Sequence, residues 1–167
     1  MIKIYVKGLK DGLHDVELSE PVNAVPDISE EFFGNIEVTG KLRILGNRFN
    51  FTGKVVCSAN LICDRTLKEF VQIIEAEFSA AYIVNTSGSA IDDFVQEEKE
   101  RILSKEEKYI DITDDVREVL ILNVPMKKIA PDVNDMEFED IYPEYSAKKN
   151  KKIDEDRWSA LKNIKIN

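Results

Sequence analysis

Apolar and polar residues alternate through most of the first half of the chain. Ile2, Ile4 and Val6 recur at every second position, the period of a half-buried strand. Gly8 and Gly12 bracket Lys10-Asp11 as a turn, and residues 14–18 fit a second short strand. Residues 19–33 carry Pro21, Pro26 and several carboxylates and read as a connector, with a short helical turn around 29–33. From Gly34 the β pattern strengthens, with Ile36, Val38, Leu42 and Ile44 on one face. Gly46-Asn47-Arg48 is a hairpin turn, since Gly and Asn accept positive φ. On the return strand, 49–63, Phe49, Phe51, Gly53, Val55, Cys57, Ala59 and Leu61 share one parity. Gly40 and Gly53 are expected to mark bends or bulges. In residues 67–84, Phe70, Ile74 and Phe78 fit a helix as well as a strand, and the β-branched and aromatic content decides for strand.

The second half reads differently. Residues 85–89 form a loop, and 91–104 are acidic with weak helical spacing. Residues 109–112 fit a short strand. A helix is predicted over 113–122, with Thr113 as N-cap, Asp114 and Asp115 at the positive end of the helix dipole, and Val116, Val119 and Leu120 on its apolar side. Pro125 ends that run. Residues 130–152 are polar, and 154–164 fit a short helix with Trp158, Leu161 and Ile164 on one side. The expected fold class is α+β. Its antiparallel sheet, open or closed like a barrel, spans residues 2–84 plus 109–112, and the helix at 113–122 packs on it. Residues 1–147 are expected to form one domain with an acidic loop near 85–107. Residues 148–167 are expected to form a basic tail with a short helix.

Charge sharpens this picture. The 167 residues carry a formal charge of −9. Residues 71–147 hold nineteen acidic and seven basic groups, a net of −12, whereas residues 148–167 hold seven basic and three acidic groups, a net of +4. Nucleic-acid binding over the whole surface is excluded, because phosphate neutralisation needs concentrated positive charge. No apolar run approaches the ~20 residues of a membrane-spanning helix, and the alternating N-terminal residues lack a signal-peptide core. The expectation is a soluble cytoplasmic protein with no membrane partner.

Candidate chemistry is sparse. Cys57 and Cys63 stand six apart, about 20 Å along a straight strand, too far for a disulfide. Cys57 fits core packing. His14 is the single histidine, and no paired-histidine or phosphate-loop motif accompanies it. No cofactor, metal or catalytic residue is expected. An enzyme reading would need Asp111, Asp114 and Asp115 to hold Mg²⁺, against the simpler role of helix capping. Arg65, Arg117 and Glu118 are candidates for a polar cluster, because charged residues beside apolar runs must pair or face a partner.

Three stretches together resemble a known family. They are residues 61–67, which contain Cys63, Asp64 and Arg65; residues 109–125, a strand followed by a hydrophobic helix with Arg117 and Glu118; and residues 154–161, which contain Asp156, Arg157 and Trp158. The family is YceD, the large ribosomal RNA subunit accumulation proteins. The resemblance implies a non-enzymatic role in 23S rRNA accumulation or processing and large-subunit assembly. The partners it suggests are a basic large-subunit ribosomal protein, a 23S rRNA precursor, or both. An RNA-processing enzyme and a general protein-interaction domain are the alternatives. The family's first cysteine pair would fall on Cys63 and Thr66, and residues 130–145 contain no cysteine, so a zinc site suspected in cysteine-rich relatives has no ligand set here. With the charge pattern, the resemblance suggests that residues 92–107 and 132–144 hold a basic partner. Lys148, Lys149, Lys151 and Lys152 would then touch RNA phosphates.

Overall fold

The computed structural model describes residues 1–84, 100–104 and 106–146. Long alternating segments become long strands. β2 (Gly12–Pro21), β3 (Phe32–Leu45), β4 (Arg48–Ile62) and β5 (Glu69–Val84) form an antiparallel meander. β6 (Glu100–Leu103) adds to β5 in parallel, completing a five-stranded sheet ordered β2-β3-β4-β5-β6. The segment expected to have weak helical spacing therefore contains a strand. The reason is pairing: residues 100–103 lie in register with Ala81–Val84, and that ladder outweighs a local helical preference.

The first strand does not join this sheet. β1 (Lys3–Tyr5) pairs antiparallel with β7 (Tyr109–Asp111) as a separate two-stranded sheet. The larger sheet is open and not closed into a barrel, so the barrel alternative is set aside and the α+β class stands. α1 (Thr113–Leu122) packs on β4 and β5, within the bounds its periodicity predicts. Two single-turn helices follow, α2 (Phe138–Ile141) and α3 (Pro143–Ser146).

One face of the meander forms the core. Ile36, Val38, Leu42 and Ile44 of β3 meet Phe51, Val55, Cys57, Ala59 and Leu61 of β4 and Ile74, Ala76 and Tyr82 of β5. Ile2, Ile4, Ile110, Ile112, Val116 and Leu120 close the other side. Burial at about 25 cal/mol per Å² makes this contiguous cluster the main stabilising term. Gly40 and Gly53 mark no bulge. They are direct partners across β3 and β4, and the irregularity lies between Phe33 and Glu37. A β-carbon at Gly53 would stand 2.5 Å from the Phe51 ring and one at Gly40 2.8 Å from it. The two glycines thus make the seat on which Phe51 lies, and the ring also meets Phe78 at 5.4 Å between centroids.

The connector is shorter than the sequence suggests. β2 runs on to Pro21, which is tolerated at the end of an edge strand. The turn at 29–33 is a single one, closed by the Phe32 N–H donating to Ser29 O at 3.1 Å.

Candidate interaction site

The connection from β4 to β5 carries the first family-like stretch. Cys63 is enclosed, and its neighbours in a small apolar cluster are Ala130 and Val133. The Ala130 N–H donates to Cys63 Sγ at 3.4 Å. That contact, helped by the Thr66 hydroxyl, pulls the thiol down to about 7 against the opposing cost of burial. The turn closes on itself through the Cys63 N–H to Lys68 O at 2.9 Å and the Leu67 N–H to Cys63 O at 2.8 Å. Leu67 holds φ at 57°, in the left-handed region that costs a non-glycine residue about 1–2 kcal/mol. Its side chain is nonetheless 78% exposed, so an apolar group is presented to solvent from a strained turn.

Asp64 and Arg65 fasten this turn to the segment after α1. The Asp64 N–H donates to Lys128 O, and the Lys128 N–H returns to Asp64 Oδ2, both at 2.7 Å. Lys128 Nζ reaches Glu31 Oε1, also at 2.7 Å. Arg65 Nη1 donates to the carbonyls of Val133 at 2.8 Å, Asn134 at 3.3 Å and Met136 at 2.5 Å. The Tyr142 hydroxyl donates to Arg65 O at 2.9 Å. The segment is thus tied to the turn by hydrogen bonds from one guanidinium and one phenol. Because Arg65 binds backbone oxygens, it leaves the carboxylates of the segment unneutralised. Asp132, Asp135, Glu137, Asp140 and Glu144 are exposed, and among the described residues none forms an ion pair with Lys or Arg. The result is a fixed acidic platform with Leu67 beside it.

Arg117 and Glu118 lie elsewhere. Arg117 pairs with Asp114 at 3.0 Å and donates to Pro26 O at 3.3 Å, linking α1 to the connector. Glu118 is exposed on the rim of a groove between α1 and the β4–β5 pair, whose walls include Phe78, Val119 and Leu122. The expected cluster of Arg65, Arg117 and Glu118 does not form, because Arg65 serves the β4–β5 turn while the helical pair sits on α1.

The three aspartates of the enzyme reading go to separate partners. Thr113 is the first helical residue and not the N-cap: Ile112 takes that position with no side-chain bond, and Asp111 Oδ1, one residue earlier, accepts the Thr113 N–H at 2.9 Å. The Thr113 hydroxyl instead accepts the Ile2 N–H at 2.8 Å, joining α1 to the N-terminus. Asp114 pairs with Arg117, and Asp115 binds Arg101. Arg101 also approaches the Tyr82 hydroxyl at 3.3 Å. Burial, then the nearby Asp115 charge, pushes the Tyr82 phenol up to about 12. Among the described residues no group of three His, Cys, Asp or Glu is placed to hold a metal ion.

Cys57 is a buried, unpaired thiol raised by its desolvation, and His14 Nε2 lies 2.7 Å from Lys10 O on β2. Lys148, Lys149, Lys151, Lys152, Asp156, Arg157 and Trp158 lie outside the described residues, as does most of the acidic stretch 92–107. Arg101, Lys128 and Tyr142 were not among the sequence candidates. The one available signal was Tyr142, one of two aromatics with Phe138 in the acidic run 132–144.

A five-stranded sheet with α1 packed on it thus carries an acidic flank anchored at the β4–β5 turn. The chain belongs to the family described as large ribosomal RNA subunit accumulation protein YceD, whose profile matches residues 51–165. The family name gives it a role in the accumulation of large-subunit ribosomal RNA. No curated protein and no solved structure matches the chain. Among the described residues no helix is long and apolar enough to cross a membrane.

Proposed function

We propose that this protein is a non-enzymatic cytoplasmic assembly factor that supports 23S rRNA accumulation by holding a basic large-subunit ribosomal protein. The observation that carries the reading is Arg65 bound to three backbone carbonyls of residues 133–136, which fixes an acidic flank without neutralising it. A ribosomal protein before its RNA is a cationic chain, and an anchored acidic surface screens it from premature contacts while steering its encounter. Leu67 supplies an apolar contact beside that surface. Lys148, Lys149, Lys151 and Lys152 of the basic tail are available for rRNA phosphates.

Affinity purification of the full chain at low and moderate salt, reading both protein and RNA, tests this. Large-subunit proteins should co-purify and weaken as salt rises. A variant carrying Asp132→Asn, Asp135→Asn and Asp140→Asn should lose that protein several-fold while keeping its fold. Unchanged capture by the variant overturns the acidic-platform reading. Mg²⁺-dependent cleavage of precursor rRNA by the pure protein would replace it with the enzyme alternative.

A further inference from the structure

The core accounts for one face of the meander, while the opposite face carries apolar groups that nothing in the assembly reading uses. Phe33, Ser58 and Ile73 are aligned across β3, β4 and β5, Asn60 faces Val71 in the next outward row, and Ile62 faces Glu69 in the one after. Phe33 is 44% exposed, Ile62 56%, Val71 59% and Ile73 66%. These side chains share the solvent side, because successive residues of a strand alternate faces and their chain neighbours Phe32, Ala59, Leu61 and Ile74 are in the core. The patch extends about 13 Å along the strands and about 10 Å across them. Glu37, Glu69 and Glu75 border it.

We infer that this patch is the docking surface for the C-terminal segment of the same chain, with Trp158, Leu161 and Ile164 seated against Ile62, Val71 and Ile73. Three features select that occupant. The tail leaves α3 at the same end of the sheet as the patch, where Ile141 packs with Cys63 on the core side and Tyr142 is bonded to Arg65 in the turn that directly follows Ile62, so it has only to pass that end of the sheet. The twelve residues from 147 to 158 can reach about 40 Å, so the whole patch is within range. On the helix that their spacing predicts, residues 158, 161 and 164 would make a stripe about 9 Å long, which matches the patch, with Arg157 and Lys162 beside it as counterparts to Glu69 and Glu37. The docked stripe leaves Lys148, Lys149, Lys151 and Lys152 on the connecting stretch. This inference does not depend on the assembly reading.

Trp158 is the single tryptophan of the chain, so its fluorescence reports the contact directly. In the full-length protein its emission should be blue-shifted and protected from acrylamide quenching, independent of protein concentration. Val71→Glu with Ile73→Glu should shift the emission to the red and raise quenching several-fold. Val71→Thr with Ile73→Thr, which keeps β propensity, should do so in part while circular dichroism stays unchanged. Leu13→Glu and Leu45→Glu, at the far end of the same face, should leave the signal alone. Red emission in the unmodified protein overturns the inference, as does blue emission indifferent to both the Glu and the Thr pairs. A blue emission that reddens on dilution assigns the patch to a second copy and overturns it too.

Discussion

Arg101 places its two terminal nitrogens on the two carboxylate oxygens of Asp115, at 2.6 and 2.7 Å. This fork fastens β6, which runs parallel to β5, to the first turn of α1. Asp115 is mostly enclosed, whereas Arg101 is about half exposed, so solvent screens part of the attraction. A double-mutant cycle of Arg101→Ala and Asp115→Ala should return a coupling of about 1 kcal/mol in urea unfolding. Additive single effects would show that the fork contributes no stability.

Tyr82 sits in the same cluster, its hydroxyl donating to Asp111 O at 3.0 Å. Its ordinary value of 10.0 is raised to about 12 in the folded chain, so the folded state keeps a proton that the unfolded chain releases. This contribution is complete below pH 10 and is lost as pH rises towards 12. Melting curves across that window should fall steeply for the unmodified protein and less steeply for Tyr82→Phe. Equal slopes would contradict the assignment.

Gly53→Ala should destabilise by about 1–3 kcal/mol, as overpacking does, although alanine suits a strand better than glycine. The added carbon would meet the Phe51 ring, and the Thr39 carbonyl lies 2.7 Å away. Combining it with Phe51→Leu should cost less than the sum of the single changes. Chemical denaturation of the four proteins settles whether the ring is the obstacle.

Arg65→Ala should release residues 133–136, because the three carbonyls then lose the Nη1 donor they share. Proteolysis within 129–142 should accelerate several-fold while the global melting temperature falls little, since the main core lies elsewhere. Unchanged cleavage would show that Tyr142 and Asp64 suffice to hold the segment.

Leu67→Gly should stabilise the turn by about 1 kcal/mol, by relieving the left-handed backbone at that position. On the proposed role of Leu67 the same change should weaken partner capture. A gain in stability without loss of capture would leave Leu67 as strain alone.

Much of the fold was legible because period-two alternation is a strong signal where one face is buried. Ile36, Val38, Leu42 and Ile44 could point inward in only one register. The helix over 113–122 was equally plain from its apolar spacing. The parallel β6 was not legible, since four residues in an acidic stretch have no period of their own. Their strand state exists because Ala81–Val84 offers an edge. The shift of Thr113 from the cap into the first helical position was hidden for a related reason. Asp111 and Thr113 can both cap, and the Ile2 N–H, 111 residues away, claims the Thr113 hydroxyl. The family-like stretches were visible as residues, but what Cys63, Asp64 and Arg65 hold could not be read from residues 61–67 alone.

The sequence by itself determined the long antiparallel strands, the helix with its end near Pro125, and the division into an acidic middle and a basic tail. Those features depend on local periodicity and on counts of charge, which need no knowledge of distant contacts. Only the tertiary structure decided that β1 leaves the main sheet to pair with β7, that Gly40 and Gly53 together seat Phe51, and that Arg65 anchors the acidic flank. Each of these joins groups far apart in the chain. Closing those loops is repaid by long-range burial and hydrogen bonding, which no local window contains.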